Sequence, residues 1–330
     1  MRVRHAAGVA WGRWGLVASA QVVREVVREV VGVWDRRTLV CVGDLVEDVV
    51  VWAAGATRSG TDNPAWICRT RGGAAANVAA FAGRLGTSVR FVGRVGDDAV
   101  GAALVRDLAA AGVDARVQRQ GRTGTIVIIV DASGERTMYP DRAAAAELAD
   151  VPDLWLSGAG VVHLSAYSLV GPSLSVLRRA SDIARAEGAI LTIDASSIAL
   201  IDSIGPAPFR DLIRTLQPTY VFANGIEADV GALRDLAGSG TTVVVKNGVE
   251  PTEIHAGDNG SATVPVPPVD EVRDTTGAGD AFAAGFLSAV LEDADAVEAV
   301  NAGHTLARRV LGEPGATLSM TADENGTACD

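Results

Sequence analysis

Beyond residue 150 the chain repeats one rhythm: a short apolar segment, a helical stretch, then another apolar segment. Val161 to Leu164, Ile190 to Ile193, Tyr220 to Ala223 and Val243 to Lys246 read as strands. Ser173 to Glu187, Pro208 to Leu216 and Glu227 to Leu236 read as the helices between them, the first closed by Gly188. Strands that are apolar throughout are buried on both faces, and intervening helices impose a parallel order. The pattern predicts an α/β fold: a doubly wound, mostly parallel sheet flanked by helices. Two further helices, Asp280 to Leu291 and Ala294 to Val310, close it.

The first half is less regular. Thr38 to Val42 and Val89 to Val92 read as strands, Ala74 to Leu85 and Asp97 to Ala111 as helices, the latter ended by Gly112. Ile126 to Val130 is strand-like, and Ser133-Gly134 suggests a hairpin turn before Arg136 to Tyr139. Residues 56–71 are polar and irregular. The segments at about 49–71 and 113–139 break the rhythm, and the expectation is a small β-lid beside the sheet. The main domain is placed at 38–316. Ahead of it, residues 1–37 form an extension, helical or disordered: Val22 to Val31 repeats valine pairs four residues apart. Arg2, Arg4 and Arg13 with Ala18-Ser19-Ala20 faintly resemble a signal peptide, but Arg13 breaks its apolar segment. The tail, 317–330, is polar and expected to be disordered.

Composition excludes some classes. The 330 residues carry a net charge of −11 and a sequence pI near 4.9, which argues against nucleic acid or an anionic membrane surface as partner. No apolar run approaches the ~20 residues that cross a bilayer. The three cysteines, Cys41, Cys68 and Cys329, lack metal-type spacing, and their odd number fits a reduced, cytoplasmic setting.

The run Asp274-Thr275-Thr276-Gly277-Ala278-Gly279-Asp280-Ala281-Phe282 opens an apolar helix. Small residues at 277–279 let N–H groups crowd at the helix N-terminus, where unpaired donors and the helix dipole make an anion site. Asp280 is a poor phosphate ligand by charge. It suits a base that takes a proton from a hydroxyl while the neighbouring amides hold a transferring phosphoryl group. A glycine-rich turn with a helix-start aspartate gives the same string. A second cluster, Arg71-Gly72-Gly73-Ala74-Ala75-Ala76-Asn77, also precedes a helix. Its glycines allow close backbone approach, and Asn77 can both donate to and accept from a hydroxyl.

Together, Gly72-Gly73, Asn77, Gly86 and Gly96 on one side and Asp274 through Phe282 on the other resemble the two signatures of the ribokinase-like (PfkB) family of carbohydrate and nucleoside kinases. The similarity spans about residues 38–316. It implies an ATP-dependent phosphotransferase acting on a hydroxyl, expected to be primary, of a sugar or sugar-like substrate, with ATP and Mg²⁺. Asp280 would be the base, and Gly277, Ala278 and Gly279 the anion hole. Asp48, with Gly72, Gly73 and Asn77, would bind the acceptor; Asp44 is a weaker candidate. Asn224, Lys246, Gly248 and His304 would line the nucleotide site. Glu227, in an N-x-x-E element, would serve Mg²⁺. Asp274 and Thr276 match positions that in some relatives bind an activating monovalent cation such as K⁺.

Lys246 stands where the family usually has a hydroxyl residue, and either neutralises a phosphate or points away. Ala74-Ala75, Val46 and Ser165 depart from ribokinases and argue against ribose itself. Arg136 and Arg142 read as surface arginines near the lid. The alternatives carried forward are a nucleoside kinase, a sugar-binding protein without chemistry, and a nicotinamide dehydrogenase, which lacks its GxGxxG after the first strand. A homodimer through the lid is the expected assembly.

Overall fold

A computed structural model describes residues 37–131, 136–238, 240–269, 272–312 and 316. The expectations for residues 1–36, for the turn at Ser133-Gly134 and for the tail from 317 lie outside them.

The strands are β1 (Thr38–Val42), β2 (Val46–Ala53), β3 (Ala65–Gly72), β4 (Ser88–Val95), β5 (Val113–Arg119), β6 (Thr125–Val130), β7 (Arg136–Asp141), β8 (Val161–Ser165), β9 (Ile190–Asp194), β10 (Tyr220–Asn224), β11 (Thr242–Asn247), β12 (Glu250–His255) and β13 (Ser261–Val264). The longer helices are α1 (Ala74–Arg84), α2 (Ala99–Ala110), α3 (Ser173–Glu187), α4 (Pro206–Leu216), α5 (Ala278–Leu291) and α6 (Ala296–Leu311). Nine strands form one sheet in the order β13-β12-β11-β10-β9-β8-β1-β4-β5. It is parallel from β11 to β5, and β12 and β13 add an antiparallel edge. The other four make a small sheet, β3-β2-β6-β7.

Successive side chains of a strand point to opposite faces, so each central strand feeds two cores. Leu39 and Cys41 of β1 join Phe222 of β10 and Val244 of β11 under α1, α2, α5 and α6. Val40, Val42, Val221 and Val243 pack on the other face with α3 and α4. Every one of these side chains is buried, as all-apolar strands require.

Three expectations need correction. Val113–Arg119 pairs with β4 as the edge of the large sheet and is no part of the small one. Residues 65–71, within the segment read as irregular, form β3 with Gly72, and the strand pairs with β2 along its whole length. Its alternation was hidden because both faces are largely exposed, so no apolar period marks it. The helix expected to run to Leu236 ends at Val230, and a 3₁₀ turn, Leu233–Leu236, follows. Among the described residues no helix is long and apolar enough to cross a membrane.

Helices α5 and α6 approach very closely. A Cβ on Gly285 would lie 2.6 Å from the carbonyl oxygen of Ala302, and one on Gly303 2.8 Å from the ring of Phe282. This contact sets the position of the first turn of α5. Gly303→Val should cost about 1–3 kcal/mol through overpacking, read as a lower urea midpoint with an unchanged slope. An unaltered midpoint would show that the helix pair has slack.

Candidate active site

Parallel order brings the carboxyl ends of neighbouring strands to one edge of the sheet, the place where open α/β sheets bind ligands. Ser165 ends β8, Asp194 ends β9 and Asn224 ends β10, with Lys246 next to the end of β11. The register sets Ser165 beside Asp194 and Asn224 beside Lys246. Helix α5 starts at the same edge. Its N-cap, Gly277, has φ 75°, and a Cβ there would meet that of Ala316 at 2.7 Å, so glycine is required on both counts.

Asp280 lies in the first turn of α5, half-buried. Burial, reinforced by the carboxylates of Asp194 and Asp44, pushes its pKa up to about 7, although a hydrogen bond from Asn77 and the charge of Lys246 pull the other way. Asn77 Nδ2 donates to Asp280 Oδ2 at 2.8 Å. Behind it Arg71 donates to Asn77 Oδ1 and, through Nε, to Asp107 Oδ2 at 2.7 Å. The chain Asp107, Arg71, Asn77 thus turns the amide of Asn77 so that its NH₂ faces Asp280.

Lys246 does not point away. Its Nζ bonds Asp194 Oδ2 at 2.9 Å and would sit 3.3 Å from a Cβ on Gly279. Burial alone would lower its pKa, but Asp194, Glu227 and Asp280 outweigh that and hold the ammonium above its ordinary value. Of the three predicted amide donors, Ala278 N–H turns back onto Thr275 O at 3.3 Å. Asn224 and Glu227 form a capping box: Glu227 N donates to Asn224 Oδ1 at 2.9 Å, and Asn224 N to Glu227 Oε2 at 2.8 Å. Glu227 is buried, and burial first, then Asp194, raises its pKa.

A cavity of about 550 Å³ runs outward from this edge. Its lining includes Asp194, Lys246, Gly279 and Asp280 together with the apolar Val266, Pro267 and Phe282. Asn224, Glu227, Gly248 and His304 line it too. His304 is buried, with Nε2 2.8 Å from Thr252 Oγ1 and its ring 5.5 Å from that of Phe282. Burial lowers its pKa.

On the far side of Asn77 lies the second predicted cluster. Asp48 projects from β2, buried, and a Cβ on Gly72 would lie 2.1 Å from its Oδ1. Gly73 has φ 101° and would place a Cβ 2.4 Å from the carbonyl oxygen of Asp44. Burial and the neighbouring Asp44 push Asp48 up to about 7, against the pull of Arg71 and Arg142. Asp44 pairs with Arg142 at 2.5 Å, and that guanidinium stacks 3.4 Å above the ring of Tyr167. Asp44 Oδ1 and Asp48 Oδ1 are buried without a hydrogen-bond partner. Buried acceptors of this kind are ordinarily paired, so these two oxygens mark where hydroxyl donors would fit.

Arg136 and Arg142, read as surface residues, are both partly buried and engaged. Arg136 donates to Asp274 Oδ1 at 2.9 Å and to the hydroxyls of Thr275 and Thr276. Sequence reasoning also missed Asp194, Tyr167 and the Arg71–Asp107 pair. Asp194 could have been found, since it ends an apolar strand at the same position as Asn224.

Known proteins bear on this geometry. The family model described as pfkB family carbohydrate kinase matches residues 36–323. An ATP-dependent ribose-1-phosphate kinase of Halopiger xanaduensis is 30% identical over 267 residues, covering 76% of this chain and 84% of its own. A fructokinase of Klebsiella pneumoniae is 31% identical, covering 69% and 79%. The crystal structure of an adenosine kinase from Sinorhizobium meliloti superposes with a TM-score of 0.75 at 24% identity, over 87% of this chain and 97% of that one, and shows the same fold. The chain belongs to the pfkB family of carbohydrate kinases, as an ATP-dependent carbohydrate kinase.

Proposed function

We propose that the enzyme transfers the γ-phosphoryl group of ATP to a hydroxyl, expected to be primary, of an unphosphorylated sugar, with Asp280 as general base. The observation that carries this reading is the place of Asp280. It lines the 550 Å³ cavity and is bonded through Asn77 to the cluster holding Asp48. A base must touch both the nucleotide's transferring group and the acceptor, and Asp280 lines the cavity while accepting from Asn77 on its other side.

In this reading the hydroxyl gives its proton to Asp280 as its oxygen bonds the γ-phosphorus, and the bond to the β-phosphate oxygen breaks to leave ADP. A pKa near 7 suits that task, because the carboxylate is a stronger base than an exposed aspartate and is still partly ionised at neutral pH. The amides of Gly277 and Gly279, with Lys246, would hold the equatorial oxygens of the transferring group. Asn224, Gly248 and His304 would bound the nucleotide. When bound, Mg²⁺ supplies charge neutralisation on the phosphates. Glu227, through water, fits such an ion, which takes few protein carboxylates and keeps waters and phosphate oxygens.

The acceptor cluster favours a neutral polyol. Its unpaired oxygens, on Asp44 and Asp48, accept hydrogen bonds, and its arginines, Arg71 and Arg142, already hold Asp107 and Asp44. A phosphorylated sugar would meet two carboxylates and no uncommitted cation among these four residues. A homodimer through the small sheet belongs to the same reading, since Trp66, Ile67, Met138 and Tyr139 are exposed on it. Sedimentation as a monomer at micromolar concentration would remove that part.

ADP release measured with purified protein against neutral sugars, sugar phosphates and nucleosides tests the acceptor class. Asp280→Asn should lower kcat by about two to four orders of magnitude with ATP affinity little changed. In the wild type, kcat/KM for the acceptor should fall as pH drops through about 7, where Asp280 takes up a proton. The same substitution should stabilise the protein. A carboxylate whose folded pKa is raised favours the fold while protonated, and that contribution is lost as pH rises from the unfolded value through about 7. The melting temperature of the variant should therefore exceed that of the wild type at pH 8 and match it at pH 4. Turnover within about threefold of wild type sinks the base assignment.

Asp48→Ala should raise KM for the acceptor roughly ten- to a hundredfold, the scale of one charge-assisted hydrogen bond, and leave KM for ATP near its starting value. Equal losses toward both substrates would mean general damage, not acceptor binding.

A further inference from the structure

Residues 274–276 lead directly into Gly277, so their conformation decides where the first amides of α5 point. Asp274 Oδ1 is the hub of this turn, accepting from Thr276 N at 2.8 Å and from Thr276 Oγ1 at 2.7 Å. The main chain is tied down behind it, with Arg273 N donating to Leu311 O at 2.9 Å. Into the same turn reaches Arg136 from β7. One guanidinium nitrogen bonds Asp274 Oδ1 and Thr276 Oγ1, and the other bonds Thr275 Oγ1. Three consecutive residues are thus gripped by one rigid fork, and both charged side chains are partly buried, at 23% and 15% exposed.

These are the positions at which the family resemblance implies a monovalent cation. The residues present do not fit one. The Asp274 oxygen that would attract K⁺ already carries a positive charge bonded at 2.9 Å, and the hydroxyls of Thr275 and Thr276 are taken up by the same guanidinium. A second cation would share an already neutralised carboxylate and face the guanidinium as a like charge.

We propose that Arg136 is a positioning residue that supplies, from the small sheet, the charge a monovalent cation would otherwise bring to the turn before the anion site. The enzyme then needs no activating cation. The proposal rests on the reading of residues 277–280 as the phosphoryl site. It has a mechanical consequence. A soluble ion binds whatever the small sheet does, whereas Arg136 reaches the turn only with β7 in place beside it. The amides of α5 are therefore ordered when the small sheet covers the acceptor, and ATP is not activated toward water while the acceptor is uncovered.

The test compares initial rates at constant ionic strength with K⁺, Na⁺ or tetramethylammonium as the monovalent ion, using the fastest sugar of the acceptor panel. The wild type should vary by less than about twofold among the three, since no site discriminates them. Arg136→Met should lose roughly ten- to a hundredfold in tetramethylammonium, the scale of a charged hydrogen-bond set, and recover at least about fivefold in K⁺. Arg136→Lys should lose less and gain less from K⁺. As a readout apart from turnover, K⁺ should raise the melting temperature of Arg136→Met over tetramethylammonium and leave that of the wild type unmoved. The proposal is overturned by K⁺ stimulation of the wild type beyond about tenfold, by full activity of Arg136→Met in tetramethylammonium, or by a folded Arg136→Met that K⁺ does not rescue. The last result would make Arg136 a phosphate ligand. The wild-type arm decides the matter even where Arg136→Met fails to fold. Because the melting shifts do not depend on turnover, an active Asp280→Asn would remove the base assignment while leaving this comparison readable.

Discussion

The 2.8 Å hydrogen bond between Asn77 and Asp280 joins two helix N-termini that stand about 200 residues apart in sequence. Both helices start where small residues let the backbone come close: α1 after Gly72-Gly73, α5 after Gly277. Neither start could move without breaking that bond. It holds because each partner is oriented by something else, Asn77 by Arg71 and Asp107, Asp280 by the packing of α5 against α6 across Gly285 and Gly303. The large sheet supplies the frame on which both helices lie. Much of the chemistry proposed here is a consequence of how firmly that one contact is held.

What could be read from the sequence divides along the same line. The central strands were visible because burial on both faces makes them apolar without interruption. The two glycine clusters were visible because close backbone approach admits no other residue. Asp280, Asn77 and Asp48 stood beside those glycines. The edges were harder. β3 and β12 lie in sheets with an exposed face and carry no clean period, and β5 looked like lid because, as the edge strand beside β4, it carries alternating exposed residues. Partner choice among charged residues was not legible at all. Arg136, Arg142 and Lys246 carry the same charge as any surface cation. Only the fold shows that they meet Asp274, Asp44 and Asp194.

Charge at the site is arranged so that pairs cancel and a few oxygens are left over. Asp44 with Arg142, Asp194 with Lys246, and Asp107 with Arg71 are matched, whereas Asp48 and Asp280 have no ion-pair partner among the described residues. These two carboxylates also have pKa values raised to about 7, each with burial as its largest cause. An unmatched buried carboxylate destabilises the fold at neutral pH. Its persistence at two places, both facing the proposed acceptor, agrees with strain kept where function requires it.

The pairing of Lys246 with Asp194 bears on how ATP would enter. Before nucleotide binds, the ammonium is neutralised by Asp194 at 2.9 Å and influenced by Glu227 and Asp280. A triphosphate arriving alone would confront Asp194, Glu227 and Asp280, with Lys246 already paired to Asp194 and Arg308 elsewhere on the cavity wall. Repulsion at these distances, in a partly desolvated site, amounts to several kcal/mol for each unscreened pair at an effective dielectric near 20. Positive charge brought with the nucleotide would relieve that repulsion, so in the proposed reading these carboxylates would favour a metal-bound triphosphate over the free anion. Lys246 would then be released from Asp194 to reach the transferring group, and Asp194 and Glu227 would be the residues available to such an ion. The lysine that departs from the family pattern and the carboxylate that sequence reasoning overlooked are thus one ion pair, and in the proposed reading they would act as one unit.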